Sequence, residues 1–210
     1  MRRGTRSSKH LRSRLSPSVI RAVSIAPYPR TKPAGGLPST RKTDILWTLQ
    51  FDGTSYRLAW SSRPSPGYTK QEYLPPDQNS NSYTQMLMIE RVTGDLTVMS
   101  AVRVQVDMLN KRKGTDPLVN MKVIQNSDAG EALLDFIVSS KNPKGEYIVE
   151  WNAYRYAPLR GVADKSGVLL FAISHRAYGN DNAKVFMERL KSIRMAQITA
   201  LTKASLPSVR

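Results

Sequence analysis

The chain has 210 residues, of which 40% are apolar and 23% charged, with a formal net charge of +16 and no cysteine. This length admits one domain plus an appendage and is enough to bury about two-thirds of the unfolded surface. The absence of cysteine excludes disulfide frameworks, thiolate nucleophiles, Cys-type zinc sites and iron–sulfur clusters, and no apolar run approaches the ~20 residues of a membrane-spanning helix.

The charge is unevenly spread. Residues 1–42 carry Arg2, Arg3, Arg6, Lys9, Arg12, Arg14, Arg21, Arg30, Lys32, Arg41 and Lys42 with no Asp or Glu, whereas the rest of the chain is nearly balanced. Five prolines, many serines and a single aromatic, Tyr28, complete that segment. Such a composition cannot offset the entropy of ordering, so 1–42 reads as a disordered basic arm and 43–210 as one domain. The arm is open to three readings. It looks like an organelle targeting peptide, being Arg-rich, Ser-rich and acid-free; it could bind nucleic acid by releasing counterions from phosphates; or it is a solvated tail, or sequence upstream of the true start. The apolar stretch Val19–Ala26 is interrupted by Arg21 and too short for a secretory signal.

From Leu46 the pattern has period two, the mark of half-buried strands. Leu46–Phe51 and Ser55–Ser61 flank Asp52-Gly53 and predict a hairpin. Pro64, Pro66 and Gly67 break the chain before a strand at Tyr68–Leu74, which Pro75-Pro76 ends; a fourth strand is expected within Tyr83–Glu90. Leu96, Met99, Val102, Val106 and Leu109 then recur at helical spacing. Asp95 is the expected N-terminal cap or first-turn anion, Lys111, Arg112 and Lys113 complement the helix dipole, and Gly114 is the expected terminator. Four more strands follow, Val119–Gln125, Ala132–Ser139, Glu146–Ala157 and Val168–Arg176, with a turn at Asn142-Pro143-Lys144-Gly145. In the longest strand one face is apolar and the other mixed, which predicts a sheet covered on one side. The last element, Asp181–Thr202, is a helix with Phe186, Leu190, Ile193 and Leu201 inward and Glu188, Lys191 and Arg194 outward. The order predicts an α+β fold: an antiparallel sheet of seven or eight strands in two ββββα-like halves, with two helices packed on it. Trp47, Trp60 and Trp151 are expected core anchors.

Chemistry is sparse. His10 and His175 are the only histidines, no nucleophile elbow or phosphate-binding fingerprint is present, and no metal, cofactor or catalytic residue is expected. His175 shares strand parity with Phe171 and Ile173 and reads as a hydrogen-bonded histidine at the core edge. Glu72, Asp77, Glu90 and Glu150 are the carboxylates whose convergence would permit a hydrolase; a tight cluster around Glu72 or His175 in a closed pocket would count against a non-enzymatic role.

One stretch resembles a known group. Glu72-Tyr73-Leu74-Pro75 with Gln78, followed by Tyr83-Thr84-Gln85-Met86-Leu87, is similar to a Glu-Tyr-hydrophobic-Pro and aromatic-Thr-acid/Gln-Met-Leu pattern in uncharacterised bacterial proteins typically exported to the cell envelope. The resemblance implies a periplasmic or envelope location and extends to the terminal helix with Phe186, Leu190 and Arg194, but it brings no activity with it. Glu72–Gln85 reads as a polar loop between strands, with Tyr73 and Tyr83 pinning it. Glu72, Tyr73, Tyr83 and Gln85 are therefore the candidate binding residues of a non-enzymatic binding or accessory protein, and the alternative reading of that loop is a structural corner.

Overall fold

A computed structural model describes residues 46–159 and 166–207. The basic arm 1–42, with His10 and the boundary expected near Thr43, lies outside these residues. Eight strands and two helices follow the expected order: β1 Thr48–Phe51, β2 Thr54–Ser65, β3 Tyr68–Leu74, β4 Gln85–Thr93, α1 Val98–Arg112, β5 Asn120–Asn126, β6 Glu131–Lys141, β7 Tyr147–Pro158, β8 Gly167–Tyr178 and α2 Asn180–Lys203. They form one eight-stranded sheet in the order β1-β2-β3-β4-β8-β7-β6-β5. Every pairing is antiparallel, and the halves meet where β4 lies against β8, from Gln85↔His175 to Thr93↔Gly167.

Local chemistry explains most element ends. Asp52 and Gly53 both have positive φ, 47° and 74°, as the tightest hairpin turn requires of its two central residues. β2 runs past Pro64 rather than stopping before it. Proline lacks the N–H that a regular ladder needs, and Pro64 falls where the β2–β3 register shifts between Ser62 and Ser65. The cap of α1 is Thr97, not Asp95. Its hydroxyl accepts from the Ser100 N–H at 3.1 Å while its own N–H donates to Ser100 Oγ at 3.0 Å, a reciprocal capping box. Gly114 does not take the left-handed conformation; α1 instead ends on a right-handed Lys113, and Arg112 turns to Asp116 at 2.8 Å.

The sheet is covered on both sides, not one. Successive strand residues point to opposite faces. Met86, Met88, Leu134, Phe136, Val138, Tyr154 and Ala172 pack with Val98, Ala101, Val102 and Leu109 of α1. Their neighbours Leu87, Ile89, Leu133, Ile137, Trp151, Phe171 and Ile173 pack with Ala183, Leu190, Ile198 and Leu201 of α2. The helices therefore lie on opposite faces, α1 mainly against β6–β8 and α2 mainly against β7 and β8. A duplicated unit rotated about an axis through the sheet would place both helices on one face, so the two halves share element order but not arrangement.

Of the three tryptophans only Trp151 is a full core anchor, at 0% exposure; Trp60 is half-buried and Trp47 is 56% exposed. Arg194, expected to face outward, reaches back to the sheet and pairs with buried Asp135, which also accepts from Trp151 Nε1 at 2.8 Å. A buried indole N–H needs a partner, and a buried carboxylate needs a cation; one contact set satisfies both.

Candidate functional site

The side of the sheet that carries α1 also carries the buried Glu72, Glu90 and Glu150. Strand register builds them into rows. Lys70 on β3 pairs with Glu90 on β4, then Leu170 on β8 and Tyr156 on β7 follow. In the adjacent row Trp60 on β2 is opposite Glu72 on β3, followed by Met88, Ala172 and Tyr154. Further along, Asn152 is opposite Ser174 and Glu150 is opposite Arg176. Alternation along β7 thus sets Glu150, Asn152, Tyr154 and Tyr156 on one face.

Two ionic groups occupy this face. In the first, Lys70 Nζ lies 3.2 Å from Glu90 Oε1 and 3.7 Å from Glu72 Oε1, and the Tyr68 hydroxyl donates to Glu90 Oε2 at 2.8 Å. Burial opposes the charge on Lys70, but Glu90 and then Glu72 outweigh it and hold its pKa above the ordinary lysine value. In the second, Arg176 pairs with Glu150 while lying over the Tyr83 ring, 4.2 Å from its centroid. The Tyr83 hydroxyl donates to Glu150 Oε2 at 3.1 Å, and Tyr178 donates to the Tyr83 carbonyl at 3.0 Å. These contacts fasten the β3–β4 connection to the sheet. That connection is also braced internally, since Gln78 Oε1 accepts from the N–H groups of Thr84 at 2.7 Å and Gln85 at 3.1 Å.

In the same rows as the first group, beyond β8, stand Tyr154 and Tyr156 of β7, only 4% and 5% exposed. Their rings lie 6.4 Å apart and pack in the apolar cluster beneath α1, while among the described residues the buried polar atoms of this face without a hydrogen-bond partner are Asn152 Oδ1 and Nδ2 and Ser174 Oγ. Burial, with nearby carboxylates that include Glu90, keeps both phenols protonated well above the ordinary tyrosine pKa. Each is then a neutral group able to donate and accept.

The four residues expected to form a site do not share a face. Glu72 belongs to the Lys70 group and Tyr83 to the Arg176 group. Tyr73 and Gln85 have the opposite strand parity and lie on the α2 side: Tyr73, fully buried, donates to Gln71 Oε1 at 3.1 Å, and Gln85 Oε1 accepts from the Tyr56 hydroxyl at 3.3 Å. The carboxylates Glu72 and Glu90 do meet, through Lys70, whereas Asp77 sits exposed on the β3–β4 connection. Sequence reading missed Lys70, Tyr68, Tyr154, Tyr156 and Arg176; the signal was the unbroken polar and aromatic alternation along β7, which marks a face with its own partners.

His175 lies on the α2 side, 7% exposed, with its ring 5.6 Å from that of Trp151. Its Nε2 is without a hydrogen bond among the described residues. Burial, aided by the Arg189 charge and opposed by the neighbouring Gln197 amide, lowers its pKa to about 4. It is a neutral core ring at physiological pH. Among the described residues no group of three or more His, Asp or Glu side chains has the arrangement of a metal site, and no helix is long and apolar enough to cross a membrane.

No curated protein and no solved structure matches the chain. A family model matches residues 45–206, which take in the whole sheet and both helices, and the chain belongs to that uncharacterised family.

Proposed function

We propose that this protein is a non-enzymatic binding or accessory protein of the bacterial cell envelope, and that it binds through the α1-side face of β3, β4, β7 and β8, which holds Lys70, Glu90, Asn152 and Ser174. The observation that carries the reading is the contrast between spent and unspent groups. Lys70 is held as an ammonium, so it has no lone pair for nucleophilic attack or proton abstraction. Glu90 already accepts from Tyr68 and Lys70. Chemistry that needs a free base is poorly served by this cluster, although it surrounds Glu72. Asn152 and Ser174, opposite one another on β7 and β8 of the same face, are buried with no hydrogen-bond partner for either amide atom or the hydroxyl among the described residues, and a buried polar group without a partner in the protein is a place where another molecule supplies one.

The envelope location rests on the resemblance carried by Glu72–Pro75 and Tyr83–Leu87. Fractionation of bacterial cells expressing the full chain should place it in the envelope or periplasmic fraction; recovery wholly in the cytosol would refute that location. Incubation of the purified chain with isolated cell-wall material should release no soluble fragments. Release that disappears in Glu90→Gln would replace the binding reading with a carboxylate-based hydrolase.

A further inference from the structure

We infer that β5 is the docking edge for a second copy of this chain, the two β5 strands pairing antiparallel about a twofold axis that sets Ile124 opposite its counterpart.

The sheet ends on β5. Its residues pair with β6 from Asn120↔Ile137 to Asn126↔Glu131, and among the described residues no strand lies along its other side. Alternate residues of β5 therefore direct N–H and C=O groups outward, where only water or another strand can meet them. Folded proteins guard such an edge by making it short, by a proline or a bulge, or by several charges. β5 is seven residues long, contains no proline and keeps an unbroken register with β6, and Lys122 is its one charged residue. The opposite edge strand, β1, has only four residues.

The side chains of β5 select a second copy as the occupant. Met121 and Val123 turn inward on the α1 side and pack against the core there. Alternation leaves Lys122 and Ile124 on the other face, where Ile124 is 38% exposed. A twofold axis perpendicular to the sheet keeps each face on its own side, so residues opposite one another across the new seam must share parity. A seam centred on Lys122 would oppose two ammonium groups, and one centred on Val123 would set each Ile124 against Lys122 of the partner subunit. Centring on Ile124 apposes the two exposed isoleucines. Lys122 then lies opposite Asn126 of the partner subunit and diagonal to Asp128 of the partner subunit, a separation of about 7–8 Å between side-chain bases that a lysine can span. Asp128 belongs to the turn that Asn126 braces by accepting from the Ala129 N–H at 3.3 Å. Symmetry supplies this charge pairing twice, whereas an unrelated strand would have to provide both the apolar match and the acid.

The test is sedimentation velocity of the full chain up to about 100 µM, where a dimer with a Kd of about 50 µM or tighter is expected. Ile124→Lys brings two further ammonium groups together on the axis and should weaken the dimer about tenfold or more, with the far-ultraviolet circular dichroism unchanged. The chain has no cysteine, so Ile124→Cys gives one thiol per molecule. Copper-catalysed air oxidation should link that variant into a dimer about tenfold faster than Met195→Cys, an exposed position on α2. A chain that stays monomeric at the highest concentration overturns the inference. So does a dimer that Ile124→Lys leaves intact, or cross-linking of Ile124→Cys no faster than that of the α2 control. If Ile124→Lys loses its circular dichroism, the cross-linking comparison decides alone.

Discussion

Strands β6–β8 and strands β1–β3 belong to one sheet yet are secured by different means. The former are sandwiched, with α1 on one face and α2 on the other, and their side chains are buried on both sides. The latter have no helix of their own. They hold the sheet through the β4–β8 seam and keep their α1-side residues in place with ion pairs and phenol contacts beside the apolar packing of Leu74. The helix-covered strands are held by apolar packing on both faces, and the others carry a polar face on the α1 side.

The largest expected effect tests the sandwiched side. Trp151→Ala should cost about 3–5 kcal/mol in urea unfolding, because a fully buried indole leaves a cavity and takes one of its donors from Asp135; a loss below 1 kcal/mol would mean that α2 contributes little to the core. Asp135→Ala strands Arg194 and the Trp151 N–H together, and about 3 kcal/mol should be lost in the same measurement.

Acid separates two further contributions. His175 titrates near its ordinary 6.5 when unfolded and at about 4 when folded, so between those values the unfolded chain binds more protons and stability falls as pH drops. The fall should amount to roughly 3 kcal/mol between pH 7 and pH 4, and His175→Gln should flatten it in a plot of unfolding free energy against pH. Asp116 behaves differently. Burial raises its pKa, but hydrogen bonds from Arg112, Ser139 and Leu118 outweigh that and hold it below the ordinary 3.8. Its contribution is complete above that value and is lost as pH falls through the lower folded one. Asp116→Asn should cost about 2 kcal/mol at pH 7 and remove part of the acid transition below about pH 4.

The smallest effect belongs to the other side of the comparison. Trp47→Ala should change stability by less than about 0.5 kcal/mol, since the ring is 56% exposed. A larger loss in the full chain would show that the ring is covered by something beyond residues 46–159 and 166–207.

Element order was legible because each signal was local: the Asp52-Gly53 turn, the stripe from Leu96 to Leu109, and the alternation in β7 and β8. Coverage of both faces was not. Tyr154, Tyr156, Glu150 and Asn152 made one face of β7 read as mixed and hence solvated, whereas Glu150 is buried against Arg176 and Tyr83 and the tyrosine rings pack beneath α1. Local pattern reports polarity, and only the fold reveals that polarity can be matched inside. The site was half legible for a related reason. Glu72 and Tyr73 were grouped because they adjoin in sequence, but neighbours on a strand point apart, and parity alone separates them. Trp47 was read as core from its size, yet among the described residues no helix lies over the four-residue edge strand that follows it.

The placement of α1 bears on the order in which the molecule is made. This helix leaves the ribosome directly after β4, but the strands it rests on, β6–β8, are synthesised afterwards, and β4 itself waits for β8 as its inner neighbour. The growing chain therefore carries the greasy stripe from Val98 to Leu109 unsheltered until about residue 178 has emerged, and such distant pairings close slowly. A fragment ending at Arg112 should be found unfolded or chaperone-bound, and assembly should be concentrated into the final stage of translation.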